Sequence, residues 1–406
     1  MIRSQFLALT AALQTGAVPT ASQAPFPGQI KPLPRSLILS GGGALGAYEA
    51  GAVAALVRAA GVGEGQPLPA YGVVAGTSIG ALNAYLVATA QWSKLAELWA
   101  TISDQHAVRY KPQYAKIGNQ SSGVLTRLAE VIALGTGAGK NVLGVYDGAY
   151  LEAFLSAYID FSRPVVTPVV WAVTNLTTNL PEYFYLVPAS VSAEQLRFAL
   201  DAVRIAVGSV IAVRPADPAL LVRQLRASAA VPIAFDPVVL SGPDGKPNQY
   251  ADGGLTANTP IGIGRALASA VDVVLLSPPF AGQAYRDILE VTLGSYGTMQ
   301  RRLMADALQA AVTESFLFRL LRSIPKTEVA RLASGFGYTA AEIAAFSALL
   351  SDTSYFVLQP KAPLPATIFG FDDARSIQRT YELGFADAAA GFKRFDLTSE
   401  VGPTPP

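Results

Sequence analysis

Three short segments hold residues whose types and spacing suit acyl-transfer chemistry. Ser78 lies within Gly76-Thr77-Ser78-Ile79-Gly80, the G-x-S-x-G pattern of a sharp turn that presents a serine hydroxyl between a strand and a helix. Ser40-Gly41-Gly42-Gly43-Ala44 exposes backbone N–H groups that can bind phosphate or stabilise an oxyanion. Asp252-Gly253-Gly254 supplies a carboxylate that can accept a serine proton if the fold holds it within reach.

Each segment alone has a simpler interpretation. The first can be an ordinary turn between a strand and a helix, and Asp-Gly-Gly is common in turns. The glycine loop nearly meets the dinucleotide pattern G-x-G-x-x-G with Gly41, Gly43 and Gly46, but no acidic residue ends a second strand roughly 20 residues later. No Gly-Lys-Ser/Thr follows either, so the loop is not a Walker motif.

The composition excludes several other kinds of chemistry. The chain has no cysteine, which rules out disulfides, thiolate catalysis and cysteine-ligated metals, and it has one histidine, His106. Most serine-hydrolase triads and many metal sites need an imidazole, so such a mechanism would have to use His106. The chain has 30 Lys+Arg and 29 Asp+Glu, so it produces no net electrostatic field that would attract nucleic acid.

Strands that alternate with helices must position the three segments. The pattern of a strand, a glycine turn and a helix occurs twice, around Gly41 and around Ser78, and predicts a mainly parallel sheet covered on both faces. Strands are predicted at Ser36–Leu39, Tyr71–Ala75, Val169–Val173, Val273–Leu276 and Tyr355–Leu358. Helices are predicted at about Tyr150–Tyr158, Ala193–Val207 and Met299–Arg322. A last helix should carry Ile377, Tyr381, Phe385, Ala388, Phe392 and Phe395 on one stripe.

In this arrangement the sequence resembles the patatin-like phospholipase family. The glycine loop with its Ala-Tyr-Glu-Ala-Gly continuation, the Ser78 turn and the Asp252 segment are similar to three blocks of that family, in the same order. Ala227-Ser228-Ala229-Ala230-Val231-Pro232-Ile233-Ala234-Phe235-Asp236-Pro237 is similar to a fourth. The spacing agrees from Arg35 to about Leu276, and more loosely at the last helix.

The resemblance implies a three-layer α/β/α sandwich with a mainly parallel central sheet, and hydrolysis of fatty acyl esters without a metal or organic cofactor. It implies a dyad without histidine, in which Ser78 is the nucleophile and Asp252 its base. Backbone N–H groups of Gly41, Gly42 and Gly43 would form the oxyanion hole, and Gly76 and Gly80 would flank the nucleophile. The expected partner is a lipid or phospholipid substrate at a membrane or micelle surface.

One position departs from the family pattern. Leu45 stands where the family usually has Arg or Lys, which affects the expected rate and substrate preference more than the type of reaction. The departure motivates a first alternative, a catalytically weak lipid-binding or regulatory protein on the same fold. A second alternative is a histidine-dependent α/β-hydrolase that uses His106.

The ends and the most apolar segments complete the predictions. Residues 1–34 are expected to form a flexible leader with a faint likeness to a secretory signal, which leaves export open. Residues 35–395 are expected to form one acyl hydrolase domain, and residues 396–406 a tail.

The uncharged segment Gln66–Ser93 is interrupted by glycine, serine, threonine and asparagine, so no transmembrane span is predicted. Ser315–Arg322 is interpreted as a core helix with two snorkelling arginines, with contact to lipid as the alternative.

Overall fold

The computed structural model describes residues 33, 35–104, 107–112, 144–191, 196, 212–213, 217–242, 245–277, 288–335, 337, 339 and 353–396. These residues form a ten-stranded mixed sheet in the order β10-β9-β8-β1-β2-β3-β4-β5, with β7 paired to β3 and β6 paired to β7. Pairing is parallel from β9 through β8, β1 and β2 to β3. The antiparallel pairs are β3–β4, β3–β7, β6–β7 and β9–β10.

The strands are β1 Ser36–Leu39, β2 Val73–Thr77, β3 Val169–Asn175, β4 Leu180–Leu186, β5 Ala212–Val213, β6 Val238–Ser241, β7 Pro247–Asp252, β8 Ala270–Val274, β9 Ser354–Leu358 and β10 Lys393–Phe395. The α-helices are α1 Gly46–Ala60, α2 Ile79–Ala88, α3 Trp92–Thr101, α4 Gly148–Tyr158, α5 Pro218–Ser228, α6 Gly254–Ala257, α7 Ile261–Leu267, α8 Ile288–Ser323, α9 Lys326–Gly335 and α10 Ala374–Ala390. A short 3₁₀ helix, Gly43–Leu45, precedes α1.

The sheet lies between two apolar layers because neighbouring residues of each strand point to opposite faces. On one face, Leu37 and Leu39 of β1 pack in a cluster with side chains of α1, α3, α4, α5 and α10. On the other face, Ile38 packs in a cluster with side chains of α7 and α8. The predicted three-layer α/β/α sandwich with a mainly parallel sheet is therefore confirmed.

Helices α1 and α10 pack unusually closely over the first face. A Cβ atom at Gly51 would collide with the backbone of Tyr381, and one at Gly384 with the backbone of Tyr48. The two glycines therefore let the helix backbones touch. The Tyr48 hydroxyl also donates a hydrogen bond of 2.7 Å to Asp387 Oδ2, which fixes the register between the helices.

Several predicted boundaries are wrong. The last helix ends at Ala390, before Gly391 with its φ of 98°; Phe392 lies beyond the helix and Phe395 lies in β10. A positive φ favours glycine and ends a helix. The apolar pattern in the sequence therefore continues beyond the residue at which the helix ends. The second strand begins at Val73 and extends to Thr77, and the fourth predicted strand corresponds to β8, which ends at Val274. The helix predicted at 193–207 lies outside the described residues except for Leu196.

Helix α8 is longer and more exposed than predicted. It extends from Ile288 to Ser323, and its segment Ser315–Arg322 is not a core helix throughout, because Phe316 and Leu320 are exposed. Ser315 and Val312 face the core instead. None of the helices within the described ranges is both long and apolar enough to cross a bilayer.

Candidate active site

Ser78 occupies a strained turn between β2 and α2. Its φ is 55° and its ψ −124°, a backbone conformation that non-glycine residues rarely adopt. The flanking glycines make the turn possible: a Cβ atom at Gly76 would lie 2.8 Å from the Ala81 nitrogen, and one at Gly80 would lie 2.7 Å from the Ser40 carbonyl oxygen. The turn therefore packs directly against the glycine loop that follows β1.

Ser228 supports the backbone of this turn. Its hydroxyl accepts a hydrogen bond of 2.9 Å from the Ser78 N–H and donates one of 2.6 Å to the Ala172 carbonyl of β3. Ser228 ends helix α5, in the segment Ala227–Pro237. The sequence marks that segment only as a family-like block, and the contact that explains it joins residues 150 positions apart.

Asp252 lies at the end of β7, which pairs with β3 on the same side as β2, the strand that leads into Ser78. Thr77 pairs with Ala172, and the next residue of β3, Val173, pairs with Asp252. The side chain is only 1% exposed, and its Oδ1 accepts a hydrogen bond of 2.6 Å from the Gly254 N–H. The sheet thus brings the ends of β2 and β7 together along one side of β3, which places the candidate nucleophile beside the candidate base.

The glycine loop uses some of its N–H groups internally. Gly41 N–H donates to the Asn258 carbonyl and Ala44 N–H to the Ile368 carbonyl, each at 2.9 Å. Within the described residues, the N–H groups of Gly42 and Gly43 have no acceptor. Gly43 has a φ of +58°, and a Cβ atom there would collide with the backbone of Ile368. The N–H groups of Gly42 and Gly43 are therefore unused donors, whereas the N–H group of Gly41 is already hydrogen-bonded.

Asn258 connects the glycine loop to the Asp252 segment. Besides accepting from Gly41 N–H, it donates from Nδ2 to the Gly41 carbonyl at 3.2 Å, so the two residues bind each other reciprocally. A Cβ atom at Gly41 would also lie 3.3 Å from Ser78 Cβ, and one at Gly254 would lie 2.9 Å from Asn258 Oδ1. These approaches bring the three predicted segments together around Asn258.

The Ser78 hydroxyl is available for reaction. The residue is 6% exposed, and within the described part of the chain its Oγ has no hydrogen-bond partner. Ser78 Oγ therefore forms no hydrogen bond with Asp252 in this structure. Catalytic hydrogen bonds are often long before a substrate is bound and tighten in the complex. Helix α2 also directs its positive N-terminal end at this position.

A buried carboxyl group lies behind the glycine loop. Glu49 of α1 is fully buried and accepts a hydrogen bond of 2.9 Å from Asn83 Nδ2, whose Oδ1 accepts one of 3.0 Å from Trp99 Nε1. Burial raises the pKa of Glu49 well above its ordinary value, against the opposing effect of hydrogen bonds from Asn83 and the Ser40 N–H. Through Asn83, the Glu49 carboxyl group therefore ties α1 to α2 beneath the loop.

The structure places one of the two remaining residues that the sequence singles out, Leu45, and it adds no charge to the site. Leu45 is half-buried and packs against the first apolar cluster. His106 lies outside the described residues. Among the side chains that the structure describes, no group of three or more His, Asp or Glu lies close enough to hold a metal ion.

The comparisons with known proteins agree with this geometry. A family model described as patatin-like phospholipase matches residues 37–264, more than half of the 406 residues. The chain belongs to the patatin-like phospholipase family. The match includes the glycine loop, the Ser78 turn, the Ala227–Pro237 segment and Asp252, and membership supports a lipid hydrolase in general terms.

More distant likenesses add little to this assignment. The crystal structure of VipD from Legionella pneumophila is similar to this patatin-like chain with 15% identity and a TM-score of 0.33, over 90% of this chain and 68% of VipD. A likeness that distant supports nothing further. The comparison with curated proteins found no match.

Proposed function

We propose that this protein hydrolyses fatty acyl esters of lipids through a Ser78/Asp252 dyad. The observation that carries the proposal is that both residues lie where β2 and β7 end next to each other beside β3. Ser78 stands on a strained turn, and Asp252 ends β7, which meets the end of β2 on the same side of β3. Within the described residues, the Ser78 hydroxyl and the N–H groups of Gly42 and Gly43 have no hydrogen-bond partner. A nucleophile, a base and oxyanion donors are the parts that acyl transfer needs.

The first half of the reaction forms an acyl-enzyme. Asp252 takes the proton of Ser78 Oγ while that oxygen attacks the ester carbonyl carbon. The carbonyl oxygen becomes negatively charged and is stabilised by N–H groups of Gly42 and Gly43 and by the N-terminus of α2. The bond from carbon to the alcohol oxygen then breaks, and Asp252 returns its proton to the departing alcohol.

The second half releases the fatty acid. Water replaces the alcohol, gives its proton to Asp252 and attacks the acyl carbon through its oxygen. The bond to Ser78 Oγ breaks, and the proton passes from Asp252 to the serine. The net reaction consumes one water and yields one alcohol and one fatty acid, with no change of oxidation state.

The retained Gly41 contact refines the oxyanion hole. Gly41 N–H could reach an oxyanion only after releasing the Asn258 carbonyl, so its role in the proposal is to hold the loop. Gly42 and Gly43 carry the charge stabilisation. Leu45 supplies no cation there, so among the described residues the backbone donors and the helix end stabilise the developing charge.

A first experiment measures fatty acid release by the wild type and by Ser78→Ala. Both proteins are given mixed phospholipid vesicles and a soluble chromogenic butyrate ester. We expect the wild type to turn over at least one of them and Ser78→Ala to be inactive on both while it remains folded. The alternative of a lipid-binding protein without catalysis, motivated by Leu45, predicts vesicle binding without release. Release by Ser78→Ala at the wild-type rate would contradict the proposal.

A further inference from the structure

Helix α8 changes character where it reaches the candidate site. Its core-facing stripe contains Met304, Leu308, Ala311 and Val312, all buried apolar residues that pack against the second face of the sheet. One turn before Met304 the same stripe continues with Gln300, which is only 9% exposed. The helix therefore points a polar side chain inward at this turn, next to α6, as it does again at Ser315.

Gln300 lies beside the candidate base. A Cβ atom at Gly254 would collide with Gln300 Nε2 and would lie 2.7 Å from Asp252 Oδ1, so the amide and the carboxylate flank the same glycine. Within the described part of the structure, the Gln300 amide forms no hydrogen bond. The residue is mostly buried, and an amide that forms no hydrogen bond with the described protein groups can pair with water or with a ligand.

We propose that the Gln300 carboxamide recognises a polar group on the alcohol portion of the substrate. The inference rests on the proposed function, in which Asp252 returns a proton to the departing alcohol. The alcohol must then lie on the Asp252 side of the bond that breaks, whereas the acyl oxygen faces the glycine loop. Gln300 flanks Asp252 and so faces the alcohol.

The chemistry of the amide indicates the class of alcohol. A carboxamide both donates and accepts hydrogen bonds, so it suits a hydroxyl or a phosphate oxygen next to the ester, as in glycerol-based lipids. The same turns of α8 expose Met299 and Leu303, which present apolar surface beside the polar contact. The substrate selected is therefore an amphiphilic glycerol ester in preference to a simple alkyl ester.

The test compares two esters of the same acyl chain, monodecanoylglycerol and ethyl decanoate. Gln300→Met keeps the length of the side chain and removes its hydrogen bonds. Gln309→Met makes the same change at an exposed position of the same helix and serves as the matched control. We expect Gln300→Met to lose at least about tenfold in kcat/KM on the glycerol ester and less than about threefold on the ethyl ester. The control should change neither.

A second variant tests the position of the side chain. Gln300→Glu places a second carboxyl beside Asp252, which makes protonation of Asp252 easier, so the acidic limb of the pH profile should move to higher pH. Equal losses on both esters, or an unmoved pH profile in Gln300→Glu, would overturn the inference. A wild type that releases fatty acid from phospholipid vesicles but cleaves neither ester would overturn the inference alone. A wild type that cleaves neither these esters, the vesicle phospholipid nor the butyrate ester would overturn the proposed function, and the inference with it.

Discussion

Two buried polar clusters lie at opposite ends of the same strands and differ in how far their polar groups are used. At the amino end, Arg35 precedes β1, Tyr71 precedes β2 and Asp272 lies in β8; we call these three the Arg35 cluster. At the carboxyl end, the same strands lead into the glycine loop and Ser78.

The Arg35 cluster is a closed network. Arg35 forms an ion pair with Asp272 Oδ1, and the Tyr71 hydroxyl donates to Asp272 Oδ2 at 2.7 Å. The hydrogen bond to Asp272 raises the pKa of Arg35. Burial, followed by the charge of Asp272, raises the pKa of Tyr71. Both oxygens of Asp272 are thus engaged, which is typical of a structural network.

The carboxyl-end cluster leaves groups unused. The Ser78 hydroxyl, the Gln300 amide and the N–H groups of Gly42 and Gly43 have no partner within the described residues. A strained turn and unused donors at one edge are costly to a fold that gains nothing from them. The comparison teaches that unused polar groups, more than buried charge alone, distinguish the candidate site from the structural network.

The largest expected effect is that of Asp252→Asn. The amide keeps the size of the side chain but cannot accept the Ser78 proton, so kcat should fall by about 10³- to 10⁴-fold. Activity on a soluble ester and urea unfolding should be measured on the same preparation. A variant within a few-fold of the wild type would remove Asp252 from the mechanism.

Asp272→Asn is the matched substitution in the Arg35 cluster. It removes the charge that pairs with Arg35 and replaces one of the two acceptor oxygens with an NH2 group, so one of the two donors loses its acceptor and the free energy of unfolding should fall by about 1.5–3 kcal/mol. Activity per folded molecule should stay within about threefold of the wild type. A large loss of kcat with unchanged stability would mean that the Arg35 cluster has a catalytic role and is not a structural network.

Ser228→Ala tests the support of the Ser78 turn. The Ser78 N–H loses its acceptor, and the turn can relax from its strained conformation. We expect kcat to fall by about 10- to 100-fold, corresponding to about 1.4–2.7 kcal/mol of transition-state stabilisation. KM should change little, because Ser228 does not need to contact the substrate. Steady-state kinetics separates the two, and a loss confined to KM would argue against the positioning role.

Glu49→Gln should reveal the cost of the buried acid. The pKa of Glu49 is raised in the fold above its ordinary value of 4.5, so the wild type loses stability as pH rises from about 4.5 toward the folded value. While Glu49 stays protonated in the fold, the loss is about 1.4 kcal/mol per pH unit. Relative to the wild type, the variant should gain stability between pH 5 and pH 8 by urea unfolding. A difference independent of pH would show that Glu49 is not protonated in the fold.

His106→Ala should have the smallest effect. In a dyad the imidazole has no chemical role, so the variant should retain at least about a third of the wild-type kcat/KM, a change of under roughly 1 kcal/mol. A histidine-dependent hydrolase predicts a loss of about 10⁴- to 10⁶-fold instead. A folded His106→Ala without activity on any ester would favour that alternative over the dyad.

The sequence predicts the glycine turns and the parallel core, because local rules govern both. Apolar runs that end in glycine mark β1 and β2, and the order of the glycine and aspartate blocks marks the family. Strand β4 escapes prediction because it contains Pro181 and Glu182, residues that argue against an inner strand. The fold accommodates Glu182 through a hydrogen bond of 2.6 Å from Asn175 Nδ2, a contact that periodicity does not reveal.

The positioning residues of the site are also beyond local rules. Ser228 reaches Ser78 across 150 positions and Asn258 reaches Gly41 across 217, so no spacing pattern encodes their roles. Gln300 follows a helical stripe that the sequence shows, but its proposed role depends on its position beside Gly254 in the folded chain. The reactive groups can be proposed from sequence, whereas their supports become visible only in the folded chain.

Labelling with a fluorophosphonate tests the dyad most directly. Only a serine with a base and oxyanion donors reacts quickly with such a reagent. Peptide mapping of the wild type should find one stable adduct, on Ser78, formed in step with loss of esterase activity, whereas Asp252→Asn should label far more slowly at equal folded concentration. An adduct on another serine, or active protein that stays unlabelled, would contradict the proposed mechanism.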